Sequence, residues 1–191
     1  MSTPDPAPRI LLDANALWSP VLRDTLLRAA EDQLYQPLWS SEILQEMVHT
    51  ILSKRPTVRA ENLARTVARM QTTFPDATIS GHDQIMSQLT NHPGDRHVLA
   101  AAIHGRAESI VTWNRRHFLP TAEQDHGMTV LTPDAFLCQL LQRHPEQIHQ
   151  LLIRQGAALR SPVPFDVTLL SLRRAGVGRF AELIQRDLRS Q

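Results

Sequence analysis

Short apolar runs alternate with helical patterns along most of this chain, and the alternation limits the folds that it can adopt. Residues 10–12 and 109–114 are typical of strands that are covered on both faces. Residues 128–131 predict a further strand, followed by a helix that Thr132 would cap and Pro133 would begin. Because strands that alternate with helices are joined by right-handed crossovers, the pattern predicts an α/β fold with a mostly parallel sheet.

Apolar residues at helical spacing predict the helices between these strands. The predicted helices cover residues 17–27, 40–52 and 61–74 and a segment that begins at Asp95. Residues 76–80 predict a short strand, whereas no element is assigned to residues 35–39.

The alternation stops near residue 143, where three helical patterns follow one another. We therefore expect three parts: a flexible N-terminus at 1–8, an α/β domain at 9–142 and a helical C-terminal extension at 143–191. The extension is expected to pack on the domain and to enlarge a protein-binding surface.

Composition excludes several classes of protein. The 191 residues are 42% hydrophobic and 20% charged, as in globular proteins, and a net charge of +1 does not indicate a nucleic-acid-binding surface. No apolar run is long enough to span a bilayer, and residues 1–9 lack the apolar core of a signal peptide. Cys138, the single cysteine, cannot form an internal disulfide and is expected to be buried. We therefore expect a cytoplasmic protein without a membrane partner.

Three carboxylates stand apart from the other charged residues. Asp13 ends the first predicted strand, and Asp95 precedes Val98 and Leu99 on the apolar side of its helix. Glu46 lies at the edge of the apolar stripe of another helix. In parallel α/β folds the active crevice lies at the carboxyl ends of the strands, so we expect these carboxylates near that edge.

Carboxylates that share one edge repel one another unless a cation lies among them. Lys54 is the only lysine, and its position beyond the second helix leaves no lysine for this edge. A divalent cation is the simplest compensation, and oxygen ligands favour Mg²⁺ or Mn²⁺. Asn114 and the Thr112 hydroxyl, which lie at the end of the strand predicted over 109–114, would complete the ligand ring through water.

Each candidate also fits a structural role. Asp95 fits a helix cap, Asp13 and Asn114 fit turns, and Glu46 fits a solvated helix surface. Asn15 would either hold Asp13 in place or cap the first helix.

The histidines do not have the four-residue spacing of helical zinc ligands. This holds for His92, His97 and His104. We therefore expect His97 and His104 to be packing or surface residues.

Four motifs, in this order, resemble those of a PIN-domain ribonuclease, specifically a VapC-type toxin of a type II toxin–antitoxin pair. They are LLDANAL, WSSEILQE, HPGDRHVLAAAI and IVTWNRRHF. The resemblance covers residues 9–142, and the tail is similar to the helical extension of a subset of these toxins. It implies a three-layer α/β/α fold with a small helical appendage.

The resemblance also assigns the site. The acidic metal ligands of the family correspond to Asp13, Glu46 and Asp95. The fourth family position is commonly Asp and is Asn114 here, which removes one negative charge, while Thr112 matches the usual hydroxyl residue.

The activity implied is Mg²⁺- or Mn²⁺-dependent hydrolysis of RNA that leaves 5′-phosphate and 3′-hydroxyl ends. Glu46 or Asp95 would position the attacking water as a general base. Arg115, Arg116 and His117 would contact the RNA backbone or form a solvated turn. The resemblance further implies a toxin homodimer and a cognate antitoxin that inserts a side chain, often Arg, into the acidic pocket.

Two other classes of protein fit parts of this pattern. An aspartyl-phosphate phosphatase also has Asp after its first strand, but it needs a lysine at the same edge, where Lys54 is badly placed. A non-catalytic PIN-like protein that binds RNA or a partner would keep the fold, with Asn114 marking a weakened site.

Overall fold

Five parallel strands form a single sheet in the order β3-β2-β1-β4-β5. The structure is a computed structural model that describes residues 7–159 and 161–189, so residues 1–6 of the predicted flexible N-terminus lie outside the described residues. The strands are β1 (Arg9–Leu12), β2 (Gln36–Ser40), β3 (Thr78–Ile79), β4 (Ser109–Val111) and β5 (Thr129–Leu131).

Helices connect and flank these strands, so the predicted α/β/α fold with a central parallel sheet is confirmed. The helices are α1 (Ala14–Leu17), α2 (Pro20–Glu31), α3 (Ser41–Lys54), α4 (Ala60–Thr73), α5 (Asp83–Met86), α6 (Arg96–His104), α7 (Thr121–His126), α8 (Pro133–Arg143), α9 (Pro145–Ala157), α10 (Phe165–Arg174) and α11 (Gly178–Arg189). Three 3₁₀ turns are added at Pro75–Ala77, Pro93–Asp95 and Arg115–His117.

The pairing of β1 with β4 brings the carboxyl ends of these two strands together at one edge of the sheet. Leu12 lies opposite Val111 in this parallel pair, and both side chains are fully buried. The next residue on each strand is polar, and the N–H of Asp13 donates to the carbonyl of Val111 at 3.1 Å. Asp13 and Thr112 therefore end neighbouring strands side by side.

Residues 35–39, to which the sequence assigned no element, contribute most of β2, a central strand. Pro37 is the residue that argues against a central strand, because it lacks an N–H. Here β3 pairs only with Trp39 and Ser40, whereas the preceding Gln36 donates its N–H to Pro8 on the other side. The missing donor at Pro37 thus falls where β2 has no second neighbour.

Two other predicted elements differ from the structure. The single helix expected over 17–27 is broken into α1 and α2, because Pro20 begins a new helix with Ser19 at its N-cap position. The strand expected over 76–80 is reduced to β3, preceded by a 3₁₀ turn.

The C-terminal helices pack on the α/β domain, as predicted. The buried Gln155 on α9 accepts a hydrogen bond from the Thr25 hydroxyl at 2.8 Å and donates one to the carbonyl of Val21 at 3.0 Å. At the start of α11, the N–H of Phe180 donates to the carboxylate of Asp134 at 3.0 Å. The predicted boundary between residues 142 and 143 stays a prediction.

Cys138 is buried, as predicted, and burial raises the pKa of its thiol to about 11. Across the described ranges, no helix combines the length and the apolar character that a bilayer crossing requires.

Candidate metal and active site

The carboxyl edge of the sheet forms a pocket of about 530 Å³ that collects the predicted site residues. Asp13, Glu46, Asp95 and Asn114 all line it. They come from the end of β1, the middle of α3, the turn before α6 and the segment after β4. Asp13 and Asn114 follow parallel strands, whose carboxyl ends meet at the same edge of the sheet. Glu46 reaches this edge on α3, the helix that directly follows β2, and Asp95 reaches it at the start of α6.

A closed hydrogen-bond network holds Asp13. Its Oδ2 atom accepts hydrogen bonds from the Thr112 hydroxyl and from the Asn15 amide, both at 2.6 Å. The Thr112 oxygen in turn accepts from the Asn15 amide and from the N–H of Asn114, both at 3.0 Å. Asn15 also accepts from the N–H of Trp113 at 2.9 Å. Asn15 therefore holds Asp13 in place, and it lies within α1 and not at the cap position.

Burial makes Asp13 an unfavourable place for a negative charge. The residue is 3% exposed. The pKa of Asp13 is raised to about 6, above all by desolvation and further by the charges of Asp95 and Glu46, while the hydrogen bond from Thr112 opposes the increase. Without a cation, the pocket thus penalises the ionised form of its most buried carboxylate.

Two histidines contact the carboxylate of Asp95. The Nδ1 atoms of His92 and His117 each lie 3.0 Å from its Oδ2 atom. The two imidazole rings stack with their centroids 4.5 Å apart. Asp95 occupies the N-cap position of α6, yet its side chain makes no capping hydrogen bond. The carboxylate is therefore directed to the histidines and not to the N–H groups of the helix.

Glu46 pairs with a third histidine. The Nε2 atom of His97 lies 3.4 Å from the Oε1 atom of Glu46. The contact with Glu46 raises the pKa of His97, burial opposes this, and the charges of Glu46, Asp13 and Asp95 add to the increase. His97, which was expected to be a packing or surface residue, is half-buried and contacts the carboxylate of Glu46.

The three predicted metal ligands share the pocket, but their oxygens do not converge as a ligand set. In the part of the chain that the structure describes, two groups have possible ligand atoms within 4.8 Å of one another: His92 with Asp95 and His117, and Glu42 with His82 and Asp83. The side chains of Glu46 and Asp95 would have to turn from their imidazole partners toward Asp13 to hold an ion together with it. Acidic groups that could bind a metal are present, and their present partners are histidines.

The structure also overturns the argument that no lysine lies at this edge. Lys54 lines the pocket, with its Nζ atom 5.1 Å from the centre of the Trp18 ring. Lys54 is far from Asp13 in the sequence, and for that reason it was not expected at this edge. It reaches the cavity because α3 runs along the cavity wall from Glu46 to its last residue, Lys54.

The three residues predicted to contact RNA have different surroundings. Arg115 and Arg116 are both exposed, and the Nε–H of Arg115 donates to the carbonyl of Val130 at 2.8 Å. His117 is half-buried against Asp95. One of the three is thus part of the carboxylate site itself.

The sequence did not predict that three histidines contact the pocket acids, and it assigned His117 to RNA instead. The three-residue separation of His92 and Asp95 was an available signal, since the two residues lie at opposite ends of one 3₁₀ turn. His97 and His117 gave no such signal, because their acidic partners lie on other elements.

Comparison with known proteins agrees with the fold. Residues 9–116 match the model of the PIN domain family, and this chain belongs to that family. Residues 133–186 match the model of the VapC50 C-terminal domain. The predicted VapC-type PIN architecture with a C-terminal extension is therefore confirmed.

A named relative is the protein "Putative ribonuclease VapC50" of Mycobacterium tuberculosis, to which this chain is 34% identical over 106 residues. The alignment covers 56% of this chain and 63% of that protein. No solved structure matches the chain.

Proposed function

We propose that this protein is a Mg²⁺- or Mn²⁺-dependent endoribonuclease and the toxin of a toxin–antitoxin pair. The observation that carries the proposal is the buried Asp13, whose charge is unfavourable in a pocket that it shares with Glu46 and Asp95. A divalent cation would reverse that penalty. PIN-domain membership and the relative named as a ribonuclease support the same conclusion.

The proposed ligands of the cation are Asp13, Glu46 and Asp95, with the amide oxygen of Asn114 beside them. When bound, the cation supplies charge neutralisation to the phosphodiester and makes the attacking water more acidic. Oxygen ligands of this kind suit Mg²⁺ or Mn²⁺. Thr112 and Asn15 keep Asp13 oriented through their 2.6 Å hydrogen bonds.

Glu46 and Asp95 are the candidates for the general base. Each lines the pocket beside Asp13, so either carboxylate could take a proton from water there. Water adds across the bond between phosphorus and the 3′ oxygen, which leaves a 5′-phosphate on one product and a 3′-hydroxyl on the other. Arg115, Arg116 and His117 are proposed to contact the RNA backbone.

The proposed partners are RNA, a cognate antitoxin that places a side chain such as Arg in the acidic pocket, and a second copy of the chain in a homodimer. The proposed location is the cytoplasm. Lys54 and Trp18 on the pocket wall add a cation and a ring to the surface available to RNA.

The test is to sequence the RNA ends produced by the purified chain with Mg²⁺ and with EDTA. We expect 5′-phosphate and 3′-hydroxyl ends in Mg²⁺ only, and a loss of more than about 100-fold in Asp13→Asn and Asp95→Asn. Asp76→Asn, at an exposed position, is the matched control and should cleave normally.

RNA binding is measured on the same proteins. The proposal would be contradicted if every variant bound RNA equally well, with and without metal, and none cleaved it. That result would identify a non-catalytic binding protein.

A further inference from the structure

A second group of possible ligands lies outside the pocket described above. Glu42 is in the first turn of α3, and His82 and Asp83 lie at the start of α5, just after β3. Each of these three residues offers one ligand atom, and the three atoms lie within 4.8 Å of one another. The Nε2 atom of His82 is 3.9 Å from the Oε2 atom of Glu42.

His82 provides an independent reason to expect a ligand. The residue is 2% exposed, and neither of its ring nitrogens has a hydrogen-bond partner among the described residues. A buried polar group without a partner is costly, and such groups are rare in native proteins. The distance of 3.9 Å to Glu42 is too long for a hydrogen bond.

The two carboxylates make this a cation site and not an anion site. The side chain of Glu42 is 49% exposed, and Asp83 is also exposed, so both can adjust around an ion. Hydrogen bonds from its own backbone N–H and from Ser40 lower the pKa of Glu42, which keeps it ionised.

We propose that Glu42, His82 and Asp83 bind a first-row transition-metal ion of the Zn²⁺ type. An imidazole ligand favours Zn²⁺ over Mg²⁺, which prefers oxygen ligands only. Tetrahedral zinc ligands lie about 3.3 Å apart, so the Glu42 oxygen needs to move by roughly half an ångström. Water would occupy the remaining position.

The bound ion would tie the segment after β3 to the first turn of α3. Glu42 lies one helical turn before Glu46, so the ion would also restrain the start of the helix that carries a candidate catalytic carboxylate. The proposed role of the ion is to stabilise the contact between α3 and the segment after β3. This role does not depend on the nuclease activity.

The experiment is a calorimetric titration of the full chain with Zn²⁺ in a buffer free of Mg²⁺. Glu42→Gln and Asp83→Asn change exposed side chains and avoid the risk that a buried His82 variant fails to fold. We expect each to weaken one Zn²⁺-binding event by at least about 10-fold. His92→Ala is the matched control, because it alters the other histidine–carboxylate group and should leave this event unchanged.

Thermal melting gives a second reading. At a Zn²⁺ concentration 100 times the wild-type Kd, the Tm of the wild type and of His92→Ala should rise by at least about 3–5 °C more than that of Glu42→Gln, whose Kd is expected to be at least about 10-fold larger. The proposal is overturned if the wild type binds no Zn²⁺. It is also overturned if all binding is lost in His92→Ala and none in Glu42→Gln or Asp83→Asn.

Discussion

Replacement of Asp13 by Asn should make the metal-free protein more stable. Asn keeps the size of the side chain and removes the charge that the buried pocket disfavours. The pKa of Asp13 is raised from 3.8 to about 6 by desolvation above all, which is a difference of about two units. At 1.36 kcal/mol per unit, the ionised carboxylate costs the folded state about 3 kcal/mol at pH 8.

The raised pKa of Asp13 determines how the stability of the wild type changes with pH. Because the folded state holds the Asp13 proton more tightly than the unfolded state, wild-type stability falls as the pH rises from about 4 to about 6. Above that range the penalty is complete, and below about pH 4 it is absent. The advantage of Asp13→Asn should therefore appear between these values and level off at higher pH.

Urea denaturation in EDTA at pH 4 to 8 measures the difference directly. We expect Asp13→Asn to gain about 3 kcal/mol at pH 8, equivalent to roughly 6–12 °C in Tm for a chain of this size. Asp76→Asn, at an exposed site, should gain nothing. Addition of Mg²⁺ should then stabilise the wild type and leave Asp13→Asn unaffected, because the variant lacks a ligand.

A gain that is equal at pH 4 and pH 8 would refute the reasoning, because the effect would then not come from the carboxylate charge. The absence of any gain at pH 8 would refute it as well.

Three further substitutions test other parts of the structure. Thr112→Val removes the 2.6 Å hydrogen bond to the buried carboxylate and should lower cleavage by about 10–100-fold, measured with a labelled RNA, whereas Thr112→Ser should retain activity. Gly176→Ala should destabilise the fold by about 1–3 kcal/mol in urea, because the φ of Gly176 is +98° and a Cβ there would lie 3.0 Å from an indole carbon of Trp113. The control is Gly178→Ala, whose Cβ would have its nearest contact at 3.9 Å, and an equal loss in this variant would contradict the reasoning. Gln155→Leu removes both hydrogen bonds between α9 and α2 and puts an apolar side chain against the Thr25 hydroxyl, so it should cost about 1–3 kcal/mol in urea. An unchanged midpoint would show that these two hydrogen bonds do not stabilise the contact between α9 and α2.

The order of strands and helices was available from the sequence because it depends on local patterns. The apolar runs before Asp13 and Thr112 predicted strands that are indeed buried, and Thr132 accepts the capping hydrogen bond expected of it. The rule that parallel strands direct their carboxyl ends to one edge then predicted where Asp13, Glu46 and Asp95 would lie. Their common pocket follows from these local features and this topological rule.

The partners of these acids were decided only by the tertiary structure. His97 on α6 contacts Glu46 on α3, and His117, in the segment after β4, contacts Asp95. Lys54 comes to the pocket wall only because α3 runs along it, and Pro37 is accommodated only because β3 is short. Periodicity reports which face of one element is buried, whereas these contacts depend on how separate elements pack, and no local pattern contains that information.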